Sequence, residues 1–271
     1  MAVRRKPKSA TFLKDPDLRE DILPEVSGEM RKYVWDLYIK AKLDDAEAAF
    51  GLADEYEAGR FLQRDSAKAA HWMCRSAERG HAVAQLLLAS LYADGKGLPK
   101  DDVAAAKWCL AAANQGSSNA SYFLAQMYAS GTGVPHNEGK ATYWFVKAAM
   151  SGHIEAQNEC GIRYATGRGV ESNPENAAIW FRLAANQGHA PAQTNLAIEI
   201  LRRSKAEDSL KESVVWFSKA AEQDYTPAQF KLGMAYLGGH GVRKDRVKGE
   251  ELIRRAAKKG YDEAVNMLAE L

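Results

Sequence analysis

From Gly80 to Gly116 the chain reads GHAVAQLLLASLYADGKGLPKDDVAAAKWCLAAANQG, and at Gly116 the same pattern begins again. Glycine recurs at 80, 116, 152, 188 and 260, in steps of 36, with Asp44 and Asp224 in the same frame. Alanine keeps the period at Ala48, Ala84, Ala120, Ala156, Ala192, Ala228 and Ala264. Tyrosine keeps it at Tyr56, Tyr92, Tyr128, Tyr164 and Tyr236, and tryptophan at Trp72, Trp108, Trp144, Trp180 and Trp216. Self-similarity at a fixed period of this size marks a repeat architecture, in which no unit buries its apolar face alone.

Each unit reads as two helices. Ala84, Leu88 and Tyr92 are four apart and form one stripe of the first. Asp101 is the expected N-cap of the second, and Gly116 its C′ residue with φ above zero. Ala105, Trp108 and Ala112 share a face of that helix, where alanines admit a close neighbour and the tryptophan fills the wider gap. Between the helices, Gly95-Lys96-Gly97 resembles a loop that wraps phosphate with backbone N–H groups. Its copies at Gly131/Gly133, Gly167/Gly169 and Gly239/Gly241 replace the lysine by Thr132, Arg168 and His240. A permissive positive-φ turn explains four copies; a phosphate site needs one particular side chain once. The expected fold is all-α: a right-handed α-α superhelix (solenoid) of about six 36-residue helix–turn–helix repeats. Residues 26–44 read as a lone second helix offering Tyr33, Val34, Leu37 and Tyr38 at one end, and residues 261–271 as a lone first helix at the other.

Over about residues 45–271 the columns Leu-Ala/Gly-x-x-Tyr, Gly-x-Gly-Val/Leu, Asp/Asn, Ala-x-x-Trp, Ala-Ala and Gly resemble the Sel-one-like repeat family, relatives of the tetratricopeptide repeats. Units are placed near 45–80, 81–116, 117–152, 153–188, 189–224 and 225–260, with a cap helix at 261–271. Residues 1–25 are read as an irregular basic arm with Pro7, Pro16 and Pro24. Arg4, Arg5, Lys6 and Lys8 supply its charge, and Ala10 to Leu23 is able to pack on the solenoid or on a partner. The resemblance implies a non-enzymatic adaptor or scaffold that organises protein complexes.

Composition bears on the other classes. The 271 residues carry 37 Lys+Arg against 35 Asp+Glu, a formal charge of +2, and 46% apolar residues. Near-neutral charge and the absence of a recognition motif argue against nucleic acid. No run reaches the roughly 18 apolar residues of a membrane span, and the basic start lacks the apolar core of a secretory signal. Cys74, Cys109 and Cys160 have no CxxC spacing and read as reduced thiols, which fits a cytoplasmic protein; the family resemblance implies a bacterial style. His81, His153 and His189 share one column, but neighbouring repeats are roughly 10 Å apart for packed helices. Zinc–nitrogen bonds are only about 2 Å long, so a structural role at the turn is expected instead. No catalytic constellation, metal set or cofactor is expected.

In tetratricopeptide-type solenoids the first helices line the concave groove. Carried over, the partner-binding positions are Phe50, Leu86, Asn119, Tyr122, Gln126, Asn158, Ile162, Ile198, Phe230 and Met234. This face is expected to run from acidic through amide-rich to apolar. The fifth unit departs from the pattern, with Arg203 and Lys205 where others carry Gly-x-Gly. Its first helix is expected to run longer, and Arg202, Arg203 and Lys205 to protrude as a basic surface. The leading function is an adaptor binding a protein or peptide in the groove. The alternative is a regulator or chaperone sequestering a secretion or signalling client, with carbohydrate or peptidoglycan binding third. Oligomeric state is left open.

Overall fold

The computed structural model describes residues 18–269. The basic residues Arg4, Arg5, Lys6 and Lys8 lie outside that range, as do Pro7 and Pro16. The chain divides into two compact units, Met1–Asn137 and Glu138–Leu271. The first contains α1 (Leu18–Asp21), α2 (Gly28–Lys42), α3 (Ala46–Ala58), α4 (Ser66–Glu78), α5 (Ala82–Asp94), α6 (Asp102–Asn114) and α7 (Ser118–Ser130). The second contains α8 (Glu138–Met150), α9 (Ile154–Thr166), α10 (Pro174–Asn186), α11 (Ala190–Arg203), α12 (Glu207–Glu222), α13 (Thr226–Gly238), α14 (Arg246–Lys258) and α15 (Asp262–Ala269). From α3 onward, odd numbers are first helices of repeats and even numbers second helices. The fold is all-α, the helix–turn–helix solenoid that the period predicts. The division between units falls inside the third repeat, just after its glycine turn.

Local chemistry fixes each helix end. First helices start on Asp45, His81, Ser117, His153 and His189, each accepting from the N–H three residues on. Second helices start on Asp65, Asp101, Asn173 and Asp245 in the same way. Such a cap stabilises a helix by about 1 kcal/mol. The histidine column is therefore a row of N-caps, with Nδ1 as acceptor at 3.1–3.3 Å.

Burial lowers the pKa of His153 and His189 below the usual 6.5, partly opposed by Glu155. A protonated Nδ1 cannot accept the capping hydrogen bond. The folded state thus binds fewer protons than the unfolded one, and the caps stabilise fully above about pH 6.5. That stability is lost as pH falls through the depressed folded values. Replacing both by asparagine, an equally good cap, should leave urea stability at pH 7.5 little changed and raise it relative to the parent at pH 5. Parallel curves for the two proteins would refute the titrating caps.

The second glycine of each Gly-x-Gly turn does more than bend the chain. A Cβ on Gly97 would lie 2.3 Å from the Ser66 carbonyl oxygen, and one on Gly133 1.9 Å from that of Asp102. Gly169 meets Glu138, and Gly241 meets Leu210, in the same manner. Each turn is pressed against the start of the preceding repeat's second helix, so the glycines set the stacking distance as well as the turn.

The core follows the alanine column, with Ala84, Ala120, Ala156, Ala192, Ala228 and Ala264 fully buried. Trp72 and Trp216 are buried, whereas Trp108, Trp144 and Trp180 are half-buried. From the second repeat on, the deeper position is the next residue along: Cys109, Phe145, Phe181, Phe217 and Ile253 are all buried, whereas in the first repeat Trp72 lies deeper than Met73. Buried glutamines complete the packing. Gln85 Nε2 donates to the Ala77 carbonyl and its Oε1 accepts from Gln115; Gln157 with Gln187, and Gln193 with Gln223, repeat the arrangement. These side chains add a second hydrogen bond to carbonyls at the second-helix C-termini, which already accept from the N–H groups of Gly80, Gly152 and Gly188.

The segment expected to be an irregular arm includes a docked stretch at Leu18–Leu23. Leu18 is buried, Ile22 pairs with Leu62, and the Leu23 N–H donates to the Phe61 carbonyl. Asp21 accepts from the Tyr56 hydroxyl at 2.7 Å and from Lys68 at 2.5 Å. At the other end of the chain α15 covers the last repeat, with the Tyr261 and Phe230 rings 5.4 Å apart.

Candidate functional site

Each unit contains a groove made by consecutive first helices with a second helix as floor. In the first unit, α5 and α7 flank α6 around a cavity of about 460 Å³. Leu86, Leu87, Cys109, Phe123 and Met127 give it an apolar lining, with Asp94 and Asp102 at its edge. In the second unit, α11 and α13 flank α12 around a cavity of about 610 Å³. Ile198, Leu201, Leu210, Phe217 and Met234 line it, and Arg202, Lys205, Lys231 and His240 supply its polar chemistry.

The two grooves occupy the same place in the repeat, three periods apart. Ser90 corresponds to Ile198, Asp94 to Arg202, Asp102 to Leu210, Phe123 to Lys231 and Gln126 to Met234. The frame is constant while the charge is inverted. No carboxylate lines the second groove. Glu199 lies buried at its edge and pairs with Arg202 at 3.2 Å.

The fifth repeat's departure shapes this groove. The turn between first and second helices spans seven residues elsewhere, as in 59–65 and 95–101, but only Ser204–Ala206 between α11 and α12. The second helix gains almost a turn at its start. Ala206 caps it without a side-chain hydrogen bond, and Glu207 and Asp208 in the first turn offset the exposed N–H groups electrostatically. The three basic residues do not form one knob. Arg202 and Lys205 face the groove, whereas Arg203 pairs with Glu175 at 3.2 Å in the second unit.

The expected partner-binding residues separate accordingly. Leu86 and Gln126 meet in the first groove, Ile198 and Met234 in the second. Asn119 is exposed beside neither lining, and Ile162 is half-buried against the second unit's core. Phe50 is half-buried and stacks on His81 at 4.6 Å. Tyr122 is half-buried against Phe123, and Asn158 accepts from Asn195 at 3.0 Å. Phe230 is buried beneath α15 and is not offered to a partner. The residue after it, Lys231, takes the groove position, as Phe123 does after Tyr122.

A buried charge escaped the sequence reading. Arg163 is 1% exposed, pairs with Glu138 at 2.8 Å and Glu159 at 3.2 Å, and lies 4.6 Å from the Phe145 ring centre. Its column also holds buried Glu55 and Glu199 among apolar Leu91, Met127 and Ala235. Nothing in the period separates such a position from an exposed one; only the mixture of Leu, Met and Ala in the column hints at burial.

Among the described residues no cluster of His, Cys, Asp and Glu could hold a metal ion. Burial raises the thiol pKa of Cys74 and Cys160 to about 12 and that of Cys109 to about 11, leaving them un-ionised near neutrality. No described helix is long and apolar enough to cross a membrane.

The Sel1 repeat matches six consecutive segments, residues 46–81, 82–117, 118–153, 154–189, 190–225 and 226–261. The chain belongs to the Sel1 repeat family. The matched Sel1 segments begin one residue later than the units placed by the glycine column. Such solenoids are generally non-catalytic scaffolds and commonly bind proteins. Two of the similar solved structures illustrate the likeness. One is a protective antigen of uropathogenic Escherichia coli strains displaying an SLR fold, with 28% identity and a TM-score of 0.59 over 88% of this chain. This chain spans 59% of that antigen's length. The other is a Sel1 repeat protein from Oxalobacter formigenes, with 27% identity, a TM-score of 0.63, and coverage of 79% of this chain and 85% of that one. No curated protein matches the chain.

Proposed function

We propose that this Sel1 repeat protein is a non-enzymatic adaptor that captures a protein or peptide partner in the grooves between first helices. The observation that carries the reading is the contrast between constant and variable positions. Core columns hold alanine throughout, while equivalent groove positions change from Asp94 to Arg202 and from Phe123 to Lys231. Packing alone does not call for opposite charges at one structural position. Apolar linings with polar edges are the anatomy of a partner-binding surface. Leu86, Gln126, Ile198, Met234, Arg202 and Lys205 are the residues assigned to contact.

The test is site-specific photo-crosslinking in the native host. A crosslinker at Met234 or Gln126 should yield discrete adducts with one or a few proteins, whereas one at exposed Val247 on α14 should not. Identical adduct patterns from all three positions would reject groove-directed capture. A partner released on dilution fits signalling use, and a stable stoichiometric complex fits a scaffold or client-holding role.

A further inference from the structure

The second groove is chemically specific, and, resting on the adaptor reading above, we infer that its occupant is an acidic polypeptide segment with bulky apolar anchors. Leu201, Leu210, Phe217 and Met234 offer an apolar bed, and the cavity of about 610 Å³ has room for more than one side chain. Around that bed stand Arg202, Lys205, Lys231 and His240, with no acidic residue in the lining. Arg202 is already paired with buried Glu199. Lys205 and Lys231 have no carboxylate partner among the described residues, and Lys231 lies 5.3 Å from the Phe230 ring centre. Cations bordering an apolar trough attract carboxylates, steer their approach and reject basic segments. The acidic edge of the first groove makes the selectivity local: Asp94 stands where the second groove has Arg202. A membrane or nucleic acid would also be drawn to cations. Its aromatic rings are Phe217, itself 3% exposed, and the imidazole of His240, too few for a run of stacked bases, and its apolar bed is recessed between helices rather than displayed.

The probe is a set of labelled synthetic peptides in which leucines alternate with glutamate pairs, together with glutamine and lysine counterparts, read by fluorescence polarisation on the full chain. The glutamate peptide should bind on the order of tenfold more tightly than the glutamine one, and the advantage should shrink with added salt. The lysine peptide should not enter this groove. Lys205→Glu with Lys231→Glu should abolish the preference, and the milder Lys205→Gln with Lys231→Gln should reduce it, while Asp94→Asn leaves it intact. Equal affinity for glutamate and glutamine peptides overturns the acidic partner but leaves groove capture standing. A glutamate preference that survives both double variants also overturns it, because binding is then elsewhere. Displacement of the peptide by a single-stranded oligonucleotide of equal charge makes the border a general polyanion site and overturns it too. If no peptide binds and the Met234 crosslinker captures nothing, both readings fall together.

Discussion

Gly133→Ala is expected to destabilise the first unit by about 3 kcal/mol. Left-handed backbone costs a residue bearing Cβ about 1–2 kcal/mol. Forcing an atom into a filled space adds about 1–3 kcal/mol. At Gly133 the φ is +70° and the new Cβ would overlap the Asp102 carbonyl, which belongs to a helix backbone and cannot rotate away. Gly80→Ala is the matched control. Its φ is +91° and nothing lies within 4 Å of the added Cβ, so only the conformational cost of about 1–2 kcal/mol remains. Urea denaturation of both variants separates turn strain from stacking contact. Equal losses would mean that the turn glycines serve chain geometry alone.

Arg163→Met should cost the second unit about 2–3 kcal/mol, because it strands two half-buried carboxylates without their cation. Glu138 and Glu159 both lose an ion pair, and Thr142 Oγ1 loses a donor at 3.1 Å. The loss should depend on pH in a defined direction. Burial already holds the Glu159 pKa above the usual carboxylate range, against the pull of Arg163. A raised folded pKa gives stability that is present at low pH and lost as pH rises through it. Without Arg163 that pKa moves further up, so the variant should lose more at pH 8 than at pH 5. Adding Glu159→Gln to the variant should recover part of the loss at pH 8 and little at pH 5. A pH-independent loss would show that the arginine acts by its volume and its contact with Phe145.

The period made the helices, their caps and their turns legible, because each depends on residues close in sequence. Asp101 and Gly116 needed nothing beyond their neighbours to be placed. Depth was harder. Trp108 recurs as tryptophan while the column of Cys109 changes residue from repeat to repeat, and recurrence does not say which points inward. The groove frame slipped for a related reason. Tyr122, Asn158 and Phe230 share a column that turns partly or wholly into the stack, and the residue after it faces the groove in Phe123 and Lys231. Phe230 is further covered by α15, a contact peculiar to the end of the array. The buried pairing of Arg163 joins α8 to α9 across 25 residues, a separation at which local patterns carry no information.

The shortened turn of the fifth repeat has a consequence for the whole array. Residues that are loop elsewhere have become helix between α11 and α12, yet the distance from Gly188 to Asp224 remains 36. Secondary structure has been exchanged without insertion or deletion, so every downstream position keeps its phase. A tandem protein can therefore reshape one recess while its neighbours retain their register. Divergence of this kind leaves sequence length untouched, and it is visible only as missing glycines in an otherwise regular score.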